Sequence, residues 1–180
     1  MTLITEDRLK EIVRLAGIAP NGTMAEVGVY RGGSLKYLAD AFPSRTIWGF
    51  DTFTGLPKEQ WSEGEIHKPG DFSDTSFEAV SEYLKGNKNV TLIEGMFPDS
   101  FPLCEYGDIP FAFVHVDTDF YLSVKKAISF FYPLLYKGGI MVFDDFGWPH
   151  TPGVEQALSE SGLQYQPTKA KYQAYIQKPY

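Results

Sequence analysis

Apolar residues along the chain follow two alternating rhythms. Leu9, Ile12, Val13 and Ala16 recur at helical spacing behind a cap at Thr5, with Gly17 placed to end the helix, so a short leading helix is expected within residues 1–20. Residues 23–29 are apolar on both faces and broken by glycine, and Leu35, Leu38, Ala39 and Phe42 then mark one face of a helix. This unit of strand, glycine turn and helix returns with a strand at residues 46–51 and a helix from about Thr75, where Thr75 and Glu78 have capping-box spacing. Residues 90–94, 111–117 and 140–144 read as buried strands, with a helix carrying Val124, Ala127, Ile128 and Phe131 before the last. The tail reads as two short strands, residues 163–166 and 172–177, around a turn at Pro167. Such alternation predicts an α/β fold, a mostly parallel sheet covered by helices on both faces and closed by an antiparallel C-terminal hairpin. No repeat, low-complexity tract or linker interrupts it, so residues 1–180 read as one domain. The stretch 52–74, rich in Gly, Pro and charge, is the candidate for a mobile lid.

Composition narrows the partners. Sixteen basic against twenty-three acidic residues give a net charge of -7, which disfavours nucleic acid and anionic membrane surfaces and points to a small molecule. The single cysteine, Cys104, excludes an internal disulfide framework and fits a reducing compartment, so the cytoplasm is the expected location. No apolar run approaches the roughly 20 residues of a membrane span. The opening segment, with Glu6, Asp7, Arg8, Lys10 and Glu11, lacks the apolar centre of a signal peptide.

In open parallel sheets ligands gather beyond the carboxyl ends of the strands. The first strand holds Glu26 and runs into Gly28-Val29-Tyr30-Arg31-Gly32-Gly33-Ser34, where small residues let backbone approach a ligand and the next helix offers free amides. Any tight strand-to-helix turn would want the same residues, and the GxGxxG spacing of dinucleotide folds is absent. The second strand ends in Asp51, placed to accept hydrogen bonds from both hydroxyls of a ribose, or to serve as an ordinary cap. The fourth closes with His115-Val116-Asp117-Thr118-Asp119 and the fifth with Phe143-Asp144-Asp145, bringing four carboxylates together. Unpaired carboxylates at such range repel or take up protons, whereas a divalent ion such as Mg²⁺ accepts hard oxygen ligands. No His pair or Cys cluster suggests zinc, and His115 alone reads as a core histidine satisfied by the backbone.

Together these motifs resemble the class I methyltransferases of the macrocin O-methyltransferase family. The likeness spans about residues 23–150 and rests on Glu26-Val27-Gly28, the glycine turn, Gly49-Phe50-Asp51-Thr52-Phe53, Gly55-Leu56-Pro57, Glu94-Gly95-Met96-Phe97-Pro98-Asp99, His115 to Asp119 with Tyr121, and Gly138-Gly139 through Asp144-Asp145-Phe146-Gly147. It implies a Rossmann-like fold binding S-adenosyl-L-methionine, with Glu26, Gly28, Arg31, Ser34 and Asp51 holding the cofactor and Gly95 and Phe97 bordering its adenine. It further implies Mg²⁺ on Asp117, Asp144 and Asp145, with Asp119 as general base toward the hydroxyl of a sugar or other small natural product. Family members usually carry a longer helical N-terminal region, so an acceptor pocket left open, or completed by a second copy of the chain, is expected. Trp61 and Trp148 are candidates for its wall.

Rival readings remain. An Asp-x-Asp with a later Asp-Asp also describes a haloacid dehalogenase-like phosphohydrolase, although the Asp-x-Asp here follows a complete glycine-turn unit. Tyr121 and Lys125 match the Tyr-xxx-Lys spacing of short-chain dehydrogenases, but Lys125 and Lys126 read as a solvated helix face. A non-catalytic cofactor-binding module is the third reading, against which stands retention of all four carboxylates. The aromatic run Phe130, Phe131, Tyr132 and Tyr136 reads as core packing.

Overall fold

The computed structural model describes residues 2–101 and 109–180. Cys104 lies outside the described residues. Helix α1 (Glu6–Ile18) leads to β1 (Thr23–Val27), α2 (Gly33–Ala41), β2 (Ile47–Asp51), α3 (Phe77–Tyr83) and β3 (Val90–Glu94). Then follow β4 (Phe111–Val116), α4 (Tyr121–Leu134), β5 (Leu135–Asp144), α5 (Pro152–Glu160), β6 (Tyr165–Pro167) and β7 (Gln173–Gln177). The sheet has the order β3-β2-β1-β4-β5-β7-β6, parallel through β5 and antiparallel from there on. This is the α/β arrangement that the alternating pattern predicts.

Two apolar layers hold the sheet. On one face Leu9, Ile12, Leu15 and Ala16 of α1 join Leu35, Leu38 and Ala39 of α2 and Val80 of α3 against Met24, Ile47, Phe113 and Val142. On the other, Val124, Ala127 and Phe131 of α4 and Val154, Ala157 and Leu158 of α5 cover Phe50, Phe111, Met141 and Phe143. Phe131 packs flat on Phe97 and edge-on to Phe111, at centroid distances of 5.0 and 4.9 Å. The expectation of core packing therefore holds for Phe131, while Tyr136 is exposed. No helix among the described residues is long and apolar enough to cross a membrane.

Local details depart from the sequence reading. Helix α1 passes through Gly17 to Ile18, and Thr5 makes no side-chain cap. Ser76, rather than Thr75, caps α3 by accepting from Ala79 N at 3.2 Å, because the Thr75 hydroxyl is drawn instead to the Tyr30 carbonyl at 2.6 Å. Pro167 is not the turn but the last residue of β6, paired with Ala174. As an edge strand, β6 loses no ladder bond to the missing N–H. Helix α5 was not anticipated, although Thr151-Pro152 opens it with proline in the first turn, and Val154, Ala157 and Leu158 share its buried face.

Candidate active site

The strand order turns back at β1, with β2 on one side and β4 on the other, so a crevice opens between the carboxyl ends of β1 and β4. The two strands meet there through backbone. Asp117 N donates to Val27 O at 2.9 Å, while on the other side Gly28 N ties β1 to β2 by donating to Phe50 O at 2.9 Å. Gly28 has φ 89°, and a Cβ at that position would stand 1.8 Å from the Asp117 carbonyl oxygen, so only glycine fits. A single cavity covers these strand ends and is walled by Gly28, Arg31, Ser34, Asp51, Gly95 and Phe97 toward β1 to β3, and by Asp117, Asp119, Asp145, Arg8 and Trp148 toward β4 and β5. Nine of the eleven side chains or glycines singled out from the sequence are thus brought together. Glu26 and Asp144 are not on the wall; both are buried beneath it.

Asp51 organises the glycine turn. Its Oδ2 accepts from Val29 N and Tyr30 N, both at 2.7 Å, and its Oδ1 accepts from Phe53 N at 2.7 Å. A carboxylate offers about four lone-pair sites, so the clamp leaves capacity for a ligand hydroxyl on the cavity side. Gly32, at φ 79°, starts α2. Arg31 does not point free into the cavity: its Nε donates to Asp74 O at 3.2 Å and its guanidinium pairs with the Asp74 carboxylate, which also accepts from Tyr30 Oη at 2.7 Å. The segment 52–74 is thereby anchored to the glycine turn. Its middle is anchored elsewhere, since Gln60 Nε2 donates to Phe97 O at 3.0 Å and Glu65 Oε1 accepts from Tyr121 N, the first amide of α4, at 2.8 Å.

Beneath the cavity runs a polar line through the sheet. Ser34 Oγ donates to Glu26 Oε1 at 2.9 Å, His115 Nδ1 lies 2.9 Å from Glu26 Oε2, and His115 Nε2 lies 3.4 Å from Asp144 Oδ2. Strand register makes this possible, because Glu26 of β1 is paired with His115 of β4 and β5 is the next strand over. His115 is a core residue as expected, but carboxylates rather than the backbone satisfy it. Burial disfavours its charge, yet hydrogen bonding to Asp144 and Glu26 overcomes this and holds its pKa well above the ordinary value.

The acidic wall is strained and crowded. Asp119 and Asp145 both adopt left-handed backbone, at φ 58° and 61°, a conformation that Asp tolerates better than most residues. Burial, and then the charges of Asp144 and Asp145, push the Asp117 carboxyl well above the usual range. Burial and the neighbouring Asp145 push Asp119 up to about 8, and Asp145 is itself raised by burial and Asp144 against the opposing pull of Arg8. Arg8, which nothing in the sequence singled out, places Nη1 2.7 Å from Asp145 Oδ1 and 3.3 Å from Asp144 Oδ1. Gln173 Nε2 donates to the same Asp144 oxygen at 3.0 Å. Among the described residues no three His, Cys, Asp or Glu side chains converge as a metal centre.

Raised carboxyls make the fold pH-sensitive. Unfolding returns them to an ordinary Asp pKa near ~3.9, so above that value the unfolded chain releases protons that the folded one keeps, and stability falls as pH rises. The window runs from about pH 4 to the Asp119 value of about 8. His115, whose raised pKa stabilises the fold while it is protonated, loses that contribution in the same direction. Melting at constant ionic strength should give a lower Tm at about pH 8 than at about pH 5, and Asp119→Asn should shrink the difference by roughly 3 °C or more, at 2–4 °C per kcal/mol for a domain of this size. A Tm that climbs across this window would contradict the crowding.

The alternatives to a cofactor cavity lose ground on placement. Lys125 Nζ donates to Tyr121 Oη at 2.6 Å beside Glu160, and neither residue of that pair lies on the cavity wall. Trp61 also stands off the wall, under the Lys68 ammonium, whereas Trp148 lines it and packs at a tilt between His67 and His150.

Comparison with known proteins agrees with the geometry. The chain is 28% identical over 145 residues to the mycinamicin III 3''-O-methyltransferase of Micromonospora griseorubida, covering 71% of this chain and 56% of that protein. It is 26% identical over 140 residues to the demethyldecarbamoylnovobiocin O-methyltransferase of Streptomyces niveus, covering 69% and 53%. The chain therefore spans about half the length of the curated relatives it matches. Among solved structures, the O-methyltransferase NovP superposes with a TM-score of 0.82 at 24% identity over 99% of this chain and 82% of that one. The calicheamicin methyltransferase CalS11 does so at 0.76 and 24% over 94% and 77%. The fold is that of the class I methyltransferases. The family model for macrocin O-methyltransferases (TylF) matches residues 1–164, and with the glycine turn, Asp51 and the acidic strand ends set around one cavity, the chain belongs to that family.

Proposed function

We propose that the chain is an S-adenosylmethionine-dependent O-methyltransferase acting on a sugar hydroxyl of a small natural product. The observation that carries the reading is the single cavity in which the Gly28 and Asp51 cradle faces Asp117, Asp119 and Asp145 across the β1/β4 crevice. Such a cavity lets a donor on one wall meet an acceptor on the other. The names of the relatives, a 3''-O-methyltransferase of mycinamicin III and a TDP-rhamnose 3'-O-methyltransferase among them, supply the acceptor class.

Alignment is the main contribution such a site makes, because displacement at a methyl carbon needs donor sulfur, carbon and acceptor oxygen in line at near-contact distance, roughly 3 Å. Asp51, held by three backbone amides, would hold the ribose of the donor, and Gly95 and Phe97 would border its base. Asp119 would take the proton of the acceptor hydroxyl as its oxygen attacks, and S-adenosylmethionine would supply the methyl group, its sulfonium departing as a neutral thioether. For this Asp119 must arrive without its proton, which its elevated pKa opposes at neutral pH.

A divalent ion such as Mg²⁺ fits the chemistry of the wall. The donors are hard carboxylate oxygens, and burial followed by repulsion from neighbouring carboxylates raises the pKa of Asp117 and of Asp145. Asp117, Asp144 and Asp145 would hold the ion, which supplies charge neutralisation and polarises a bound hydroxyl. The protein incubated with S-adenosylmethionine and a panel of deoxysugar glycosides, with and without chelator, should yield a product carrying one methyl in place of a hydroxyl hydrogen. Tight S-adenosylhomocysteine binding without turnover on any glycoside would instead make the chain a non-catalytic module, and phosphate ester hydrolysis without such binding would make it a phosphohydrolase.

A further inference from the structure

The acidic wall already has a cation, and it comes from the chain itself. Arg8 sits in the first turn of α1, 137 residues from its partner Asp145, and its guanidinium holds Oδ1 of both Asp145 and Asp144. Thr2, Leu3 and Ile4, just before it, line the same cavity, and Ile4 is buried. Arg8 and the buried His115, which lies 3.4 Å from Asp144 Oδ2 and 2.9 Å from Glu26 Oε2, are outnumbered by the carboxylates of Glu26, Asp117, Asp119, Asp144 and Asp145.

A hard divalent ion would bring twice the charge, but its oxygen ligands are those that Arg8 engages. A guanidinium is a planar fork matched to carboxylate oxygens. With Arg8 seated, an incoming ion meets both a filled carboxylate face and a like charge at contact range. Resting on the metal-dependent reading above, we infer that Arg8 and a divalent cation are alternative occupants of the Asp144–Asp145 face, so that metal entry releases Arg8 and loosens residues 2–8 over the cavity. Coupling of this kind is reciprocal: whatever the ion does to the N-terminal segment, the segment does to ion affinity.

The test is calorimetric titration of Mn²⁺ alone into wild-type protein and Arg8→Gln, with S-adenosylhomocysteine titrated into the same preparations. Arg8→Gln is expected to bind Mn²⁺ at least tenfold more tightly. In the wild type, Mn²⁺ should speed hydrogen exchange at the amides of residues 2–8. Equal or weaker Mn²⁺ binding by Arg8→Gln overturns the inference, as does unchanged exchange at residues 2–8 in metal-saturated wild type. Absence of Mn²⁺ binding in both proteins overturns it too, and S-adenosylhomocysteine binding in those samples then tells whether the methyltransferase reading stands without the metal. Should Arg8→Gln fail to fold, Arg8→Lys takes its place: a compact ammonium lacking the fork is a weaker competitor, so its Mn²⁺ affinity must exceed that of wild type, and equality overturns the inference.

Discussion

Asp119→Asn should lower turnover by between about a hundredfold and ten-thousandfold, the range that a positioned general base contributes, while leaving S-adenosylhomocysteine affinity near that of wild type. The substitution keeps the shape of the side chain, and Asn tolerates the left-handed backbone of φ 58° that this position demands. It also removes an ionisable group from the most crowded part of the wall, so the variant is expected to be more stable than the parent, not less. That combination of lost chemistry and gained stability separates a catalytic role from a structural one. Turnover within about threefold of wild type would remove Asp119 from proton transfer, since a base worth its place accounts for far more than that.

The second large effect belongs to Asp51. Asp51→Ala is expected to weaken S-adenosylhomocysteine binding by at least about tenfold, because a charge-assisted hydrogen bond to a ribose hydroxyl contributes roughly 1.5–3 kcal/mol and each 1.4 kcal/mol is tenfold. Part of the loss would be indirect. Val29, Tyr30 and Phe53 amides all end on this carboxylate, and without it the glycine turn has no template. Asp51→Asn separates the two contributions, since it retains one acceptor oxygen and loses the charge. Calorimetry on both variants, with circular dichroism to confirm folding, reads the difference. Unchanged affinity in Asp51→Ala would place the ribose elsewhere.

How much of this was legible beforehand differs by element. Periodicity located β1, β2, β4 and the end of β5, because buried parallel strands are continuous apolar runs and their ends carry the glycines and carboxylates; β3, read as buried, is instead a half-exposed edge strand, and β5 begins at Leu135, five residues before the apolar run at 140–144. The cavity followed from those ends, and Gly28, Asp51, Asp117 and Asp119 needed no long-range information to be noticed. Helix α5 is legible in the sequence, as its proline and apolar spacing lie in plain view. Ser76 against Thr75 was not: two adjacent hydroxyls compete for one cap, and the outcome depends on Tyr30, 45 residues away from Thr75. The Glu26–His115–Asp144 line depends on which strands become neighbours, and Arg8 reaches Asp145 across 137 positions of sequence. Local pattern carries no record of either.

The segment between β2 and α3 joins more than two successive elements. It leaves the sheet at Asp51, is fastened to the head of α4 through Glu65, and returns to the glycine turn at Asp74. In mechanical terms it is a brace triangulating the two halves of the crevice, whose direct seam is the β1/β4 pairing. A triangulated frame removes the hinge that a single seam would leave, so the spacing between the two walls of the crevice is set by the chain itself.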